Sequence, residues 1–123
     1  MRIAISSVDG IKVCGHAGRA RRWLVHEADG SRHMLELARE QLFHYWEGKG
    51  GEHPLETMDV VVTASAGDGL QKRLAKQGVR VLVTGETSVE RVFTSVLAGK
   101  PLAKPKFNPL LLACKILDHF GKP

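Results

Sequence analysis

The chain is poor in the residues that staple small domains or build local metal sites. Its 123 residues include only 2 cysteines, Cys14 and Cys114, far apart in the sequence. Two such thiols make no disulfide framework, and in a reducing compartment both are expected to remain thiols. Without a Cys-x-x-Cys pair there is no autonomous zinc site and no four-cysteine iron–sulfur site. Any cluster bound here would have few protein ligands. Aromatic residues are scarce at 6%. No aromatic-rich strand of the RNA-recognition type, zinc-finger spacing or leucine zipper is present, so nucleic acid is not the expected partner. Apolar runs are short: Val60-Val61-Val62 and Leu110-Leu111-Leu112 fall far below the roughly 20 residues that cross a bilayer. The opening Met1-Arg2-Ile3-Ala4-Ile5 turns polar at Ser6. It lacks the apolar region of a signal peptide, and the expected location is the cytoplasm.

Catalytic patterns are missing too. No Gly-x-Ser-x-Gly elbow occurs. Asp9, Glu27 and Asp59 fall on separate elements, so the carboxylate cluster that holds two metal ions in a nuclease is not assured. A thiol hydrolase built on Cys14 and His16 would lack a recognisable orienting partner. No enzyme activity is expected.

What is present is an ordinary soluble composition, 43% apolar and 25% charged, in a chain long enough to close one core. The net charge of +5 favours anionic partners. Part of that charge is local. Cys14-Gly15-His16-Ala17-Gly18-Arg19-Ala20-Arg21-Arg22 sets a thiol, an imidazole, two glycines and three arginines within one short stretch. Thiolate and imidazole suit soft or borderline metals. Glycine lets backbone amides approach a bulky ligand, and arginine supplies fixed charge and planar donors. A basic surface turn with an incidental cysteine is the competing reading.

Periodicity orders the rest. Arg2–Ser6 alternates as a strand, Asp9-Gly10 is a tight-turn signal, and Ile11-Lys12-Val13 reads as the returning arm of a hairpin. Arg22–Glu27 reads as a third strand, closed by Asp29-Gly30. Leu35, Ala38, Leu42 and Tyr45 or Trp46 recur at helical spacing and predict a helix over 32–47, followed by a loop-like stretch over 48–54. Asp59–Ala64 is a strand apolar on both faces. A helix over 68–77, a strand over 79–84 and a helix opened by a Thr87-Ser88-Val89-Glu90 capping box follow. The inward face of that last helix is Val89, Val92, Phe93, Val96 and Leu97. Gly78 and Gly99 stop the two helices. The β-α-β-α order predicts a parallel pair with a right-handed crossover. With the preceding meander it makes a mixed five-stranded sheet with flanking helices. Residues 100–107 form a basic linker, and Asn108-Pro109 opens a last helix through about Phe120.

The pieces Gly15-His16-Ala17-Gly18-Arg19-Ala20, Asp59-Val60-Val61-Val62, Ala66-Gly67-Asp68-Gly69, Gly78-Val79-Arg80-Val81 and Val96-Leu97-Ala98-Gly99 occur in that order. In order and spacing they resemble the dinitrogenase iron–molybdenum cofactor-binding family, which includes nitrogenase accessory factors. The resemblance covers residues 1–99 as a cofactor-binding-like α/β domain and leaves 100–123 as a basic linker and C-terminal helix. It implies a ribonuclease H-like fold without nuclease chemistry. It also implies binding of iron–molybdenum cofactor or a precursor iron–sulfur cluster, as carrier or reservoir. Nitrogenase or cofactor-assembly proteins are the implied partners. Three departures stand out: Ala17 occupies a position usually aromatic, residues 32–47 with their glycine-rich exit look inserted, and the tail with Cys114 lies outside the common core.

The candidate cofactor-binding residues are Cys14, His16, Gly18, Arg19, Gly67 and Gly69, with His16 and Cys14 as the metal ligands. In an extended segment Cys14 and His16 would point the same way, roughly 6–7 Å apart. One metal ion needs ligands at about 2.0–2.3 Å, so that spacing suits a polynuclear cluster better than a single ion. Arg19 matches the family loop and would balance negative charge. Of Arg21 and Arg22, entering a strand, only one is expected to reach the site. The Ser65-Ala66-Gly67-Asp68-Gly69 turn could offer amides to an anion, with Asp68 read as the helix cap. It has neither a Walker loop nor a dinucleotide fingerprint. His26, His33, His44, His53 and His119 are weaker, His53 because it falls in the loop-like stretch. The alternative function is a non-enzymatic interaction or regulatory module that uses the basic face for a protein or nucleic acid.

Overall fold

Ile3-Ala4-Ile5-Ser6 is buried at every position, which a strand achieves only in the middle of a sheet covered on both faces. In the computed structural model, which describes residues 1–42 and 53–104, this segment is β1 (Ile3–Ser6). It lies between β2 (Arg22–His26) and β4 (Val60–Thr63). β3 (Arg32–Glu36) flanks β2 and β5 (Arg80–Val83) flanks β4, giving the order β3-β2-β1-β4-β5. β1 runs antiparallel to β2 and β2 antiparallel to β3, while β1, β4 and β5 are mutually parallel. The expected mixed five-stranded α/β sheet is present, and its strand order is consistent with a ribonuclease H-like motif.

Successive strand residues point to opposite faces, so the apolar strands feed two cores. Ala4, Trp23, Val25 and Val61 face Leu37, Leu55 and Val79, together with Leu74 of α1 (Asp68–Lys76). Ile3, Ile5, Leu24, Val60 and Val62 face Val89, Val92 and Phe93 of α2 (Val89–Leu97). Trp23 and Phe93 are the largest fully buried side chains. Truncating either to alanine should cost about 3–5 kcal/mol.

The helix expected over 32–47 is overturned: Arg32–Glu36 is a strand. Asp29 and Gly30 make the hairpin that decides it. Gly30 sits at φ 90°, the Asp29 carboxylate accepts from the Ser31 amide at 2.9 Å, and Glu27 N donates to Ser31 O at 2.8 Å. Leu35 then pairs opposite Trp23, and Leu35 and Leu37 alternate into one core. The helical spacing of Leu35, Ala38 and Leu42 was coincident with that alternation. Only a short 3-10 turn, Arg39–Gln41, follows. Tyr45, Trp46, His44 and residues 48–52 lie outside the described residues, as do the helix expected from Asn108, Cys114 and His119.

The returning hairpin arm over Ile11–Val13 is likewise absent as a sheet strand. Val13 N donates to Thr87 O at 2.8 Å and Val89 N to Ile11 O at 3.0 Å, so the segment runs to the start of α2 instead. Three smaller expectations shift. Ser88, not Thr87, caps α2 by accepting from Arg91 N at 3.3 Å, and Glu90 pairs with Arg32. Gly67 is the N-cap of α1 and no side chain caps it, so Asp68 is a first-turn residue. Leu97 is exposed.

Candidate functional site

The chain between β1 and β2 is built in two halves. The first, Ser7 to Lys12, holds itself. The Ser7 hydroxyl donates to Lys12 O at 2.6 Å and accepts from Gly10 N at 2.9 Å. The Asp9 carboxylate accepts from Ile11 N at 2.8 Å and Lys12 N at 3.0 Å. These amides, Lys12 first, hold the Asp9 carboxyl below its ordinary range. Gly10 turns the chain at φ 75°.

The second half, Cys14 to Arg21, is fastened to residues distant in sequence. Cys14 N donates to Ser6 O at 2.9 Å and Ala17 N to Ser65 O at 2.8 Å. The buried Thr63 hydroxyl accepts from Ser6 Oγ at 3.0 Å and reaches Gly15 O at 3.3 Å. His16 Nδ1 lies 2.9 Å from Ser65 Oγ. Gly15 adopts φ 97°, a left-handed conformation that glycine takes without steric cost. Arg19 N closes a turn on His16 O at 2.9 Å. Thus the loop bearing the thiol and imidazole is laid across the carboxyl ends of β1 and β4. Open α/β sheets place their ligands at such strand ends.

This fastening opens a cleft of about 590 Å³. Cys14, Gly15, His16 and Arg19 line it, with Ser7, Val8, Ala20, Arg21, Arg22 and Glu36 around them. Cys14 and His16 are half-buried and Arg19, Arg21 and Arg22 are exposed. Arg22 donates to Val8 O at 3.3 Å and stands 3.9 Å from the Glu36 carboxylate. A second groove of about 570 Å³ runs between α1 and β5. It is lined by Gln71, Lys72, Ala75, Gly78 and residues 79–82, and offers no thiol, imidazole or carboxylate.

The structure therefore brings Cys14, His16 and Arg19 together, though not by an extended chain. The positive φ of Gly15 takes the segment out of the strand conformation from which a shared direction was expected. Both Arg21 and Arg22 line the cleft, because Arg21 precedes β2 and is not bound by strand alternation. Gly18 is not among the lining residues but lies against the imidazole; a Cβ there would sit 3.5 Å from His16 Cδ2 and Nε2. Gly67 and Gly69 do not line the cleft. Their turn reaches the loop instead of the cleft, through Ser65 at His16 and Ala17, and the sequence did not single out that side chain. Val8 and Glu36 were missed as well, since nothing local ties either to the glycine-rich loop.

Among the described residues, no three His, Cys, Asp or Glu side chains gather to hold a metal ion. The other described histidines sit elsewhere. His26 is buried with its ring 4.9 Å from that of Phe93. His33 is exposed beside Glu27 at 3.8 Å. His53 is a core residue rather than part of an exposed loop: its Nδ1 accepts from Leu55 N at 3.1 Å and its Nε2 meets Gln41 O. Burial pushes its pKa down. Among the described residues, no helix is long and apolar enough to cross a membrane.

Comparison with known proteins adds a family and a fold. The family model described as dinitrogenase iron-molybdenum cofactor matches residues 1–99. No curated protein matches the chain. Among solved structures, PH0822 superposes with a TM-score of 0.62 at 19% identity, covering 88% of this chain and 98% of its own. A candidate NifB protein from Thermotoga, assigned to the DUF35 family, gives 0.58 at 16% identity, over 87% of this chain and 96% of its own. A candidate dinitrogenase from Methanocaldococcus jannaschii gives 0.58 at 12% identity, over 81% and 90%. At these identities the likeness is one of fold.

Proposed function

Because the chain belongs to the dinitrogenase iron–molybdenum cofactor family, we propose that the 14–22 cleft carries an anionic iron–molybdenum or precursor iron–sulfur cluster as cargo. The pathway is nitrogenase cofactor biosynthesis or a related route of metallocluster assembly. The observation that carries this reading is the convergence of one thiol, one imidazole and three arginines on a single cleft of about 590 Å³. That volume lies within the roughly 300–1,000 Å³ of small-molecule sites. His16 and Cys14 would be the ligands, since imidazole and thiolate suit such metals. Arg19, Arg21 and Arg22 would offset the negative charge by charge-assisted hydrogen bonds.

The reading is non-enzymatic and cytoplasmic: the chain stores or delivers the cluster, and nitrogenase or cofactor-assembly proteins exchange it. Gly67 and Gly69 contribute no ligand contact in this account, and Ser65 takes the place of their turn. The test is an anaerobic titration of the purified protein with isolated iron–molybdenum cofactor and with its precursor, followed by absorption and gel filtration. Stoichiometric iron should co-elute, and His16→Ala should abolish co-elution while leaving the melting temperature unchanged. If neither cluster co-elutes but a protein or nucleic acid is retained in a strongly salt-dependent way, the chain is an interaction module instead.

A further inference from the structure

Ser65 precedes α1 by a few residues and is buried, yet its hydroxyl meets a ring on a loop 49 residues away. Its carbonyl accepts from Ala17 N, the residue after that ring, at 2.8 Å. The Thr63 hydroxyl also reaches the same carbonyl, at 3.2 Å. Ser65 therefore grips the His16 segment at both backbone and side chain. His16 and Ser65 form a parallel bridge outside the sheet proper. With the Ser65 backbone fixed in this way, its hydroxyl meets the ring from a defined direction. One ring nitrogen faces the serine, and Nε2 lies on the opposite side of the ring, against Gly18.

We propose that Ser65 is a positioning residue that assigns the ligating nitrogen of His16. Its Oγ accepts a hydrogen bond from Nδ1–H, which puts the lone pair on Nε2, and Nε2 meets the metal. Metal-bound histidines commonly donate their other N–H to an acceptor that fixes ring orientation and tautomer. Serine suits a carrier in particular. A carboxylate at this place would add a negative charge beside an anionic cargo, whereas a hydroxyl orients the ring without that charge. Gly18 borders the other side of the ring, where a Cβ would stand in ordinary contact with Nε2 at 3.5 Å.

This inference rests on the carrier reading for its meaning but not for its measurement. The ring state is read first, on metal-free protein, from imidazole nitrogen shifts of His16 in long-range proton–nitrogen NMR spectra. Wild type should hold the Nδ1–H form, and Ser65→Ala should give a tautomer mixture. Ser65→Thr, which keeps the hydroxyl, should restore the single form. The amide spectrum reports whether each variant is folded. Cobalt(II), which thiolate and imidazole both bind, is then titrated into a Cys14→Ser background so that the imidazole is read alone. Ser65→Ala should weaken its binding at least about tenfold, the usual effect of losing an outer partner, and Ser65→Thr should recover it. A folded Ser65→Ala protein with an unchanged tautomer and unchanged cobalt affinity overturns the proposal. If the Ser65 effects appear but no iron cluster co-elutes with wild type, the cargo reading falls and the positioning role stands.

Discussion

The two halves of the β1–β2 connection solve the same problem by opposite means. Residues 7–12 take their turn from their own side chains, Ser7 and Asp9, and meet distant residues at Ser7 N, Val8 O and Ile11 O. Residues 14–21 are tied to Ser6, Thr63 and Ser65, which belong to the carboxyl ends of two neighbouring strands. The first half is a turn that would form on many scaffolds. The second exists only when β1 and β4 are already side by side. The groups that could hold a cluster are in the second half, so the site depends on the sheet in a way the turn does not.

That contrast can be broken most directly at Thr63. Thr63→Val leaves the Ser6 hydroxyl without its acceptor and frees Gly15 O from a buried donor. It should cost about 1–3 kcal/mol and also weaken cluster retention, because the strand ends and the loop are unlatched together. Urea unfolding and gel filtration with cluster measure the two effects. Loss of stability with full retention would mean the loop stands without the latch.

Gly15→Ala should rank next. At φ 97° a Cβ adds a left-handed penalty of about 1–2 kcal/mol. The cost should again be shared between stability and retention, and it should exceed that of alanine at a glycine with negative φ, such as Gly18. Asp9→Ala sharpens the comparison from the other side. It removes the acceptor of two amides in the self-held half, so the melting temperature should fall by less than in Thr63→Val. Cluster retention should match wild type; a parallel loss would show that the two halves are one mechanical unit.

Acid provides the mildest probe. The Asp9 carboxyl is held below its ordinary value of 3.8. Its stabilisation is therefore complete above that value and is lost only as pH falls through the lowered one. His53 responds earlier. Burial lowers its pKa from 6.5, so the unfolded chain takes up the proton first, and stability present above about 6.5 declines as pH falls toward the folded value. Wild-type melting temperature should drop between pH 7 and pH 5, and His53→Asn should flatten that drop. A wild-type melting temperature constant over this interval would contradict the assignment.

Much of the scaffold was legible because its signals are local. Val60-Val61-Val62 is apolar on both faces as a central, covered strand requires, Val79–Val83 reads as a strand at the sheet edge, and Gly78 and Gly99 stop their helices at φ 80° and 69°. Where the reading failed, two local signals competed. Leu35, Ala38 and Leu42 fit a helix as well as Leu35 and Leu37 fit a strand, and only the pairing of Leu35 with Trp23 settled it. Ile11–Val13 looks like a hairpin arm until α2 offers Thr87 and Val89 as partners. The expected five strands were reached with one wrong member, Arg32–Glu36 standing where Ile11–Val13 had been expected.

The candidate site divides along the same line. Cys14, His16 and Arg19 could be picked out from residue type and from the glycines between them, since ligand chemistry belongs to side chains. The sequence by itself also determined the β-α-β-α order from Val60 to Leu97 and the turns at Asp9-Gly10 and Asp29-Gly30. Only the tertiary structure decided that Arg21, Arg22 and Glu36 share the cleft, that Gly67 and Gly69 do not, and that Ser65 holds the imidazole. Those placements follow from a parallel pairing of β1 with β4 across more than half the described chain. Hydrogen bonds between residues 49 apart leave no periodicity for a sequence to carry.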